Sequence, residues 1–311
     1  MKFTVTHCRM LSASIKEVTV SGPASLADMT HAGAHFKWLI PGLDDCRHYS
    51  TVHVDEVADD GRFTFAIRLS PDSASSQYIQ ALAVDDSVEL EGPLNTFNYP
   101  LDADSGRDIA IAGGIGITPL TGILRHLSAL NRAAQLHYFA KSADDAVYAR
   151  HLQEQLQERL QLHLSGSRPA ISAVLADLRA DDRLYVCGPA AMLGEVLSHA
   201  ERVGLAREQI HLEVFNVARD DAAQGFVVEA ADSGVSVNVG PQQSLLEALE
   251  AAGLDPLSDC RRGECGVCAL DVLEGDVDHR DFIMSEQEAA CSARIYPCVS
   301  RAKSPRLKLA I

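Results

Sequence analysis

Three of the eight cysteines in this 311-residue chain fall close together, Cys260, Cys265 and Cys268, and a fourth, Cys298, follows further on. Gaps of four and then two residues are the spacing at which a plant-type loop presents thiolates to a 2Fe-2S cluster. A tight loop can supply three sulfurs while a distant segment closes the cage. Gly263 and Gly266 suit such a loop, because without Cβ atoms the backbone N–H groups approach the sulfurs closely. The competing chemistry is a structural zinc site, which also takes four thiolates but usually from two Cys-x-x-Cys knuckles, and only one such pair is present. On spacing alone Cys291, seven residues before Cys298, could close the cage instead.

A second constellation is Ile109-Ala-Ile-Ala-Gly-Gly-Ile-Gly-Ile-Thr-Pro, which sets Gly113, Gly114 and Gly116 between an expected strand and a helix beginning near Thr118 or Pro119. Glycines admit the backbone to a pyrophosphate, and a helix start offers N–H groups and the positive end of its dipole. The loop departs from Gly-x-Gly-x-x-Gly, since Pro119 stands where the third glycine is expected, so a purely structural turn is the alternative. Tyr185-Val-Cys187-Gly188-Pro189 is another strand running into a turn. It would bring Cys187 to the carboxyl edge of a sheet, where ligands bind in open α/β folds, or leave it as a packed strand end.

The elements that must position these groups fall into three zones. From Phe3 to about Pro100, short β-rich runs (Phe3-Val5, His35-Ile40, Val52-Val54, Phe63-Leu69, Val88-Leu90) alternate with turn clusters such as Asp59-Asp60-Gly61, predicting a small antiparallel barrel with one helix or turn near Ser76 to Leu82. From Arg107 the rhythm is strand then helix: Ile109-Ala112, Leu120-Leu130, Leu136-Phe139, Val147-Leu160, Leu184-Cys187, Met192-Val203 and a last strand Ile210-Phe215, predicting a parallel doubly wound sheet. A hairpin (Phe226-Glu229, Val235-Val239) and a helix from Ser244 to Ala252, ended by Gly253, then lead into the cysteine loop. The expected boundaries are 1–102, 103–217, a linker at 218–224, and 225–311.

Bulk composition narrows the function classes. The length suits two or three domains. Hydrophobic residues at 47% and charged residues at 23% are those of an ordinary globular protein. A formal charge of −16 repels nucleic acid and anionic lipid, and no basic run offsets it. The first ten residues lack a signal-peptide pattern and no apolar stretch is long enough for a bilayer, so a cytoplasmic protein with neither a membrane nor a nucleic-acid partner is expected. No triad or paired carboxylates stand out, and the twelve histidines are scattered.

Together these residues resemble the phthalate dioxygenase reductase family, single-chain reductases of Rieske oxygenases within the ferredoxin-NADP reductase-like superfamily. The resemblance covers essentially the whole chain. It implies an antiparallel flavin-binding β-barrel, an α/β parallel-sheet nicotinamide domain and a C-terminal α+β plant-type ferredoxin of the β-grasp type. The family motif Arg-x-Tyr-Ser appears as Arg47-His48-Tyr49-Ser50-Thr51. By that resemblance Arg47 pairs with the flavin phosphate, Tyr49 packs on the isoalloxazine ring and Ser50 hydrogen-bonds it. Ser73-Ala74-Ser75-Ser76 stands where relatives have a glycine- and serine-rich turn, making Ser75 and Ser76 the implied phosphate ligands. FMN is the implied flavin, with FAD the alternative. Gly113, Gly114, Gly116, Thr118, Pro119, Cys187, Gly188 and Pro189 are implied to frame the nicotinamide, and Phe215 to be an aromatic near the flavin.

After the second strand of the sheet, Lys141 and Asp144 are ambiguous between a ribose phosphate and a free hydroxyl, and family precedent points to NADH. The family spacing selects Cys298 over Cys291 as the fourth ligand. A nicotinamide gives up two electrons as hydride and the cluster accepts one, so a flavin between them is chemically required. The implied activity is an NADH-dependent oxidoreductase delivering electrons to a terminal oxygenase component of Rieske type, with the loop 259–267, including Arg261 and Arg262, as docking surface. A haem-thiolate monooxygenase is the alternative acceptor, and a redox-sensing protein without turnover the reading of a different class.

Overall fold

The computed structural model describes residues 1–26, 31–43, 46–54, 61–95, 97, 106–215 and 223–311. The expected boundary at 102/103 and most of the expected linker at 218–224 lie outside them. The chain forms two compact units, one of residues 1–192 with 202–213 and the other of residues 193–201 with 214–311.

In the first unit, β1 (Lys2–Ser12), β2 (Ile15–Ser21), β3 (His35–Leu39), β4 (Arg47–Ser50), β5 (Arg62–Arg68) and β6 (Ser87–Leu94) make one antiparallel sheet in the order β4-β3-β6-β1-β2-β5. A bridge between Thr51 and Phe65 joins the two ends of that order and closes the barrel. Its core is aromatic, with Trp38 edge-on to Phe65 at 5.2 Å and Phe3 edge-on to Phe36 at 5.9 Å, the arrangement that ring quadrupoles favour. Helix α1 (Ala74–Ala81) matches the helix expected near Ser76 to Leu82.

The strand expected at Val52-Val54 does not form. The Val52 N–H still donates to the Thr64 carbonyl of the neighbouring strand at 2.8 Å, but the His53 N–H turns away and donates to Thr121 Oγ1 at 2.9 Å.

The same unit holds a parallel sheet, β11-β10-β7-β8-β9, built from β7 (Asp108–Gly113), β8 (Ala134–Ala140), β9 (Leu160–Leu164), β10 (Arg183–Gly188) and β11 (Ile210–Val214). Helices α2 (Ile117–Ala129), α3 (Ala149–Leu156) and α4 (Ile171–Val174) follow β7, β8 and β9 in the chain, and α5 (Ala190–Arg202), most of which belongs to the second unit, follows β10. The helix expected through Leu160 ends at Leu156, and Leu160 opens a strand at the sheet edge. A one-sided alternation in Leu160-Gln-Leu-His-Leu is too short to separate from a helix end by period alone. At the base of the sheet Asp108 is buried and accepts from Arg132 Nε at 2.8 Å, Arg183 Nε at 2.9 Å and the Tyr185 hydroxyl at 3.1 Å.

The second unit carries a mixed sheet, β13-β12-β18-β14-β16, in which β12 (Phe226–Ala230) pairs antiparallel with β13 (Val235–Val239) and parallel with β18 (Arg306–Leu309). β14 (Leu270–Glu274) and β16 (Arg294–Ile295) extend it, and β15 (Val277–Asp278) pairs with β17 (Arg301–Ala302). Helix α6 (Leu245–Ala251) begins in a capping box, Ser244 accepting from the Glu247 N–H and Glu247 from the Ser244 N–H. Leu245 and Leu249, one turn apart, are fully buried against the sheet. Helix α7 (Glu286–Ala290) precedes Cys291. Among the described residues no helix is long and apolar enough to cross a membrane.

Candidate functional site

The four cysteines meet as two pairs. Cys268 Sγ lies 3.4 Å from Cys298 Sγ, and Cys260 hydrogen-bonds Cys265. All are free thiols. The loop between them turns on residues of positive φ, Arg261 at 53°, Gly263 at 73° and Gly266 at 78°. A Cβ on Gly263 would meet Val299 Cγ2 at 2.6 Å, so the loop passes too close to the Cys298 segment for any side chain there.

Backbone N–H groups turn toward the sulfurs, those of Arg262 and Glu264 toward Cys260 and that of Gly263 toward Cys298. Burial pushes the Cys260 thiol up to about 11, while the hydrogen bond from Cys298 pulls Cys268 down to about 7. Among the described residues no group of three or more His, Cys, Asp or Glu could hold a single metal ion. Two pairs of thiols are what a two-iron cluster asks for, two thiolates to each iron, and inward N–H groups are what its sulfurs accept. The donor set therefore fits a 2Fe-2S cluster. Cys291 is exposed at the end of α7 with its thiol on the Gln287 carbonyl, 3.5 Å away.

Arg262, expected on the docking surface, is largely buried in an ion pair with Glu264 at 2.6 Å, whereas Arg261 is exposed and paired with Glu250. Leu257, just before the loop, and Val267, at its end, are exposed apolar side chains.

On the barrel, the motif Arg47 to Thr51 runs along β4 and leaves it. Tyr49 packs edge-on to Trp38 at 5.7 Å; burial raises its hydroxyl pKa, against a hydrogen bond with Ser75 and the charge of Arg47. That contact brings β4 and the start of α1 together. Ser73 caps α1, its hydroxyl 2.7 Å from Ser75 Oγ, and the buried Ser76 hydroxyl accepts from the Ser70 N–H at 2.9 Å. A guanidinium, an aromatic ring and serine hydroxyls at a helix start suit the phosphate and ring of a flavin.

The Ser50 hydroxyl donates to the buried carboxylate of Glu213 at 3.0 Å. His35, also buried, lies 3.8 Å from the same carboxylate and packs against His48 at 5.1 Å between ring centroids. His48 Nε2 is 3.6 Å from Cys46 Sγ, and Thr51 Oγ1 donates to the Ala34 carbonyl at 2.9 Å. Glu213 and His35 escaped sequence reasoning, because an acid at the end of one strand and a histidine at the start of another share no spacing.

In the parallel sheet the three glycines have different jobs. A Cβ on Gly113 would strike Pro189 Cδ at 2.5 Å, and one on Gly116 the Cys187 carbonyl oxygen at 2.2 Å. These two let the β7 and β10 loops touch. Gly114, at φ +58°, has nothing within 4 Å of its Cβ position and faces open space where α2 begins. That opening fits a dinucleotide pyrophosphate. Thr118 Oγ1 donates to the Ile115 carbonyl at 3.0 Å, and Pro119 sits in the first turn of α2, where a missing N–H costs nothing. Cys187 and Gly188 are buried at the end of β10, Pro189 is exposed, and Phe215 follows β11 half-buried.

Two family models match the chain, the oxidoreductase FAD-binding domain over residues 2–99 and the 2Fe-2S iron-sulfur cluster binding domain over 228–303. The heme-dependent oxidative N-demethylase beta subunit of Ectopseudomonas mendocina is 34% identical over 300 residues, 96% of this chain and 94% of the relative. The vanillate O-demethylase oxidoreductase of a Pseudomonas species is 32% identical over 93% of each chain. Among solved structures, an intact type IV self-sufficient cytochrome P450 monooxygenase matches all of this chain at 28% identity and a TM-score of 0.69, the match spanning only 41% of that longer protein. Phthalate dioxygenase reductase matches at 25% identity and a TM-score of 0.68, over 100% of this chain and 98% of its own. With the barrel, the parallel sheet and the cluster domain in the same order, and relatives aligned over more than nine-tenths of both chains, this protein belongs to the phthalate dioxygenase reductase family of flavin and 2Fe-2S oxidoreductases.

Proposed function

We propose that the chain is the NADH-oxidising reductase component of an oxygenase system, passing electrons through FMN and its 2Fe-2S cluster to a Rieske-type oxygenase. The observation that carries this reading is the pairing of Cys260 with Cys265 and Cys268 with Cys298, in one chain with a flavin-type barrel and a dinucleotide-type sheet. Bound flavin converts hydride into single electrons, and the cluster holds one of them.

In this reading Arg47, with Ser75 and Ser76 at the start of α1, holds the flavin phosphate, while Tyr49 covers one face of the ring and His48, Ser50 and Thr51 line its edge. Gly114 and the first N–H groups of α2 receive the pyrophosphate of NADH, and Thr118, Cys187, Gly188 and Pro189 orient the nicotinamide. Phe215 is the aromatic near the flavin. None of these groups needs to act as a general acid or base. The exposed part of the 259–267 loop, with Arg261, meets the acceptor. The reading also assigns the protein to the cytoplasm, where NADH is made, with three working modules bounded near 102 and 218–224.

Names among the relatives support a second acceptor. One is the subunit of a heme-dependent demethylase, and the self-sufficient P450 carries a region of this fold within its own chain. The same electron chain then serves a haem-thiolate monooxygenase.

An anaerobic NADH titration of the purified protein, with flavin and iron quantified, tests the core of the proposal. The expected uptake is the flavin's two electrons plus the cluster's one; a protein that NADH cannot reduce sinks it. Heat-released flavin run against FMN and FAD standards identifies the flavin. Turnover with a reconstituted Rieske oxygenase or a haem-thiolate monooxygenase separates the two acceptors.

A further inference from the structure

In the sheet order β11-β10-β7-β8-β9, the glycine loop stands at the centre, above β7. With the nicotinamide on the β10 side, at Cys187 to Pro189, the adenosine half of the dinucleotide must lie over the carboxyl ends of β8 and β9. Those ends carry a specific group of side chains. Phe139, next to last in β8, is paired in register with Gly113 of the loop. His163 of β9 stacks on Phe139 at 4.5 Å, and the Arg168 guanidinium carbon lies 5.0 Å from the centre of the Phe139 ring.

The segment that brings Arg168 there, Ser165-Gly166-Ser167-Arg168, folds back on the sheet: the Ser165 N–H donates to the Ala140 carbonyl of β8 at 3.2 Å, and the Ser167 N–H to the Leu164 carbonyl at 3.2 Å. Arg168 is exposed, and among the described residues no carboxylate forms an ion pair with it. A guanidinium resting one face on an aromatic ring keeps its N–H edge free, in the planar fork that matches phosphate oxygens. Ser165 and Ser167, both exposed, add hydroxyl donors, and Lys141 follows directly on β8.

The feature that would read a free ribose hydroxyl instead is a carboxylate at the end of β8. Of the two acids in that turn, Asp145 is already engaged, by Ser142 at 3.1 Å, Ser14 at 3.3 Å and Arg68 at 3.8 Å. Only the exposed Asp144 remains for that role.

We propose that Arg168, seated on Phe139, is a receptor for an adenosine 2′-phosphate, so that the chain takes NADPH as a hydride donor alongside NADH. The proposal rests on the dinucleotide reading of the β7 loop. The extra phosphate takes no part in the chemistry: hydride leaves the nicotinamide ring for the flavin, and NADP+ departs as NAD+ does.

Calorimetric titration of the full holoprotein with adenosine 2′,5′-bisphosphate and with 5′-AMP tests it. A charge-assisted, two-pronged bond predicts tighter binding of the bisphosphate by about 10- to 100-fold. R168Q should erase that preference and R168K retain part of it. In steady-state reduction of ferricyanide, R168Q should lower the ratio of kcat/KM for NADPH to that for NADH by a similar factor. Equal binding of the two nucleotides by the wild type, or a preference that survives R168Q, overturns the proposal while leaving the reductase reading intact. Binding of neither nucleotide, with no oxidation of NADH, overturns both.

Discussion

Ser50 at the end of β4 donates its hydroxyl to Glu213 on β11, 3.0 Å from Oε2 and 3.3 Å from Oε1. The bond ties the barrel strand that carries the flavin motif to the last strand of the parallel sheet, and Glu213 is wholly buried. Truncation in E213A leaves a buried hydroxyl without its acceptor and is expected to cost about 1–3 kcal/mol, read from urea unfolding. E213Q keeps an acceptor for Ser50 and should recover most of that loss. By removing a buried negative charge beside the proposed flavin site it should also raise the flavin midpoint potential. An unchanged potential in E213Q would place the carboxylate too far from the flavin to tune it.

Two pairs of sulfurs make the cluster ligands separable by substitution. C298S is expected to lose the iron and keep the flavin, whereas C291S should keep both, since Cys291 is exposed with its thiol on its own helix. Iron and flavin content per chain decide between them. Iron retained in C298S and lost in C291S would reverse the ligand assignment. Chelation of the iron should also lower the melting temperature of the C-terminal unit, because ligation contributes to its folding free energy.

Glycines 114 and 116 should respond oppositely to alanine. In G114A the new methyl meets nothing in the protein but enters the open space at the start of α2. It should raise the KM for NADH several-fold while the left-handed φ costs only about 1–2 kcal/mol of stability. In G116A the methyl would lie 2.2 Å from the Cys187 carbonyl oxygen, so soluble yield and melting temperature should fall first. Equal effects on KM and stability in both variants would mean the loop is a structural turn.

Burial, reinforced by Arg125 at His53 and by His163 at His137, pushes both histidines down to about 4. A depressed folded value means the neutral ring is favoured in the native state. Their contribution is therefore complete above the unfolded value of about 6.5 and lost as pH falls from there through about 4. Urea-unfolding free energies should decline over that window. H137F, which keeps a ring stacked on His163, should make the decline shallower; an unchanged slope would remove His137 from the linkage.

Asp108 holds two guanidiniums at the foot of the parallel sheet. D108A leaves Arg132 and Arg183 facing a space without a carboxylate, and a broken buried pair typically costs about 3–5 kcal/mol. Urea unfolding measures it, and a loss below about 1 kcal/mol would show that water replaces the carboxylate.

Local chemistry was legible without a structure. The gaps between Cys260, Cys265 and Cys268, the glycines after Ile109-Ala112 and the helix that starts at Ser244 and stops at Gly253 each act within a few residues, so type and spacing alone determine them. The three zones were legible for the same reason, since a period of two or of 3.6 is a property of neighbouring residues. Strand β9 was missed because five residues at a sheet edge alternate too briefly to announce themselves, and the strand expected at Val52-Val54 does not form because the His53 N–H turns to Thr121, a distant partner that no local pattern shows.

What the tertiary structure alone decided is which distant groups meet: Ser50 with Glu213, Arg168 with Phe139, Gly116 with the Cys187 carbonyl, and Cys298 with Cys268. Such pairings depend on strand order and on the direction each side chain takes from its sheet, and neither is written in any local window of sequence.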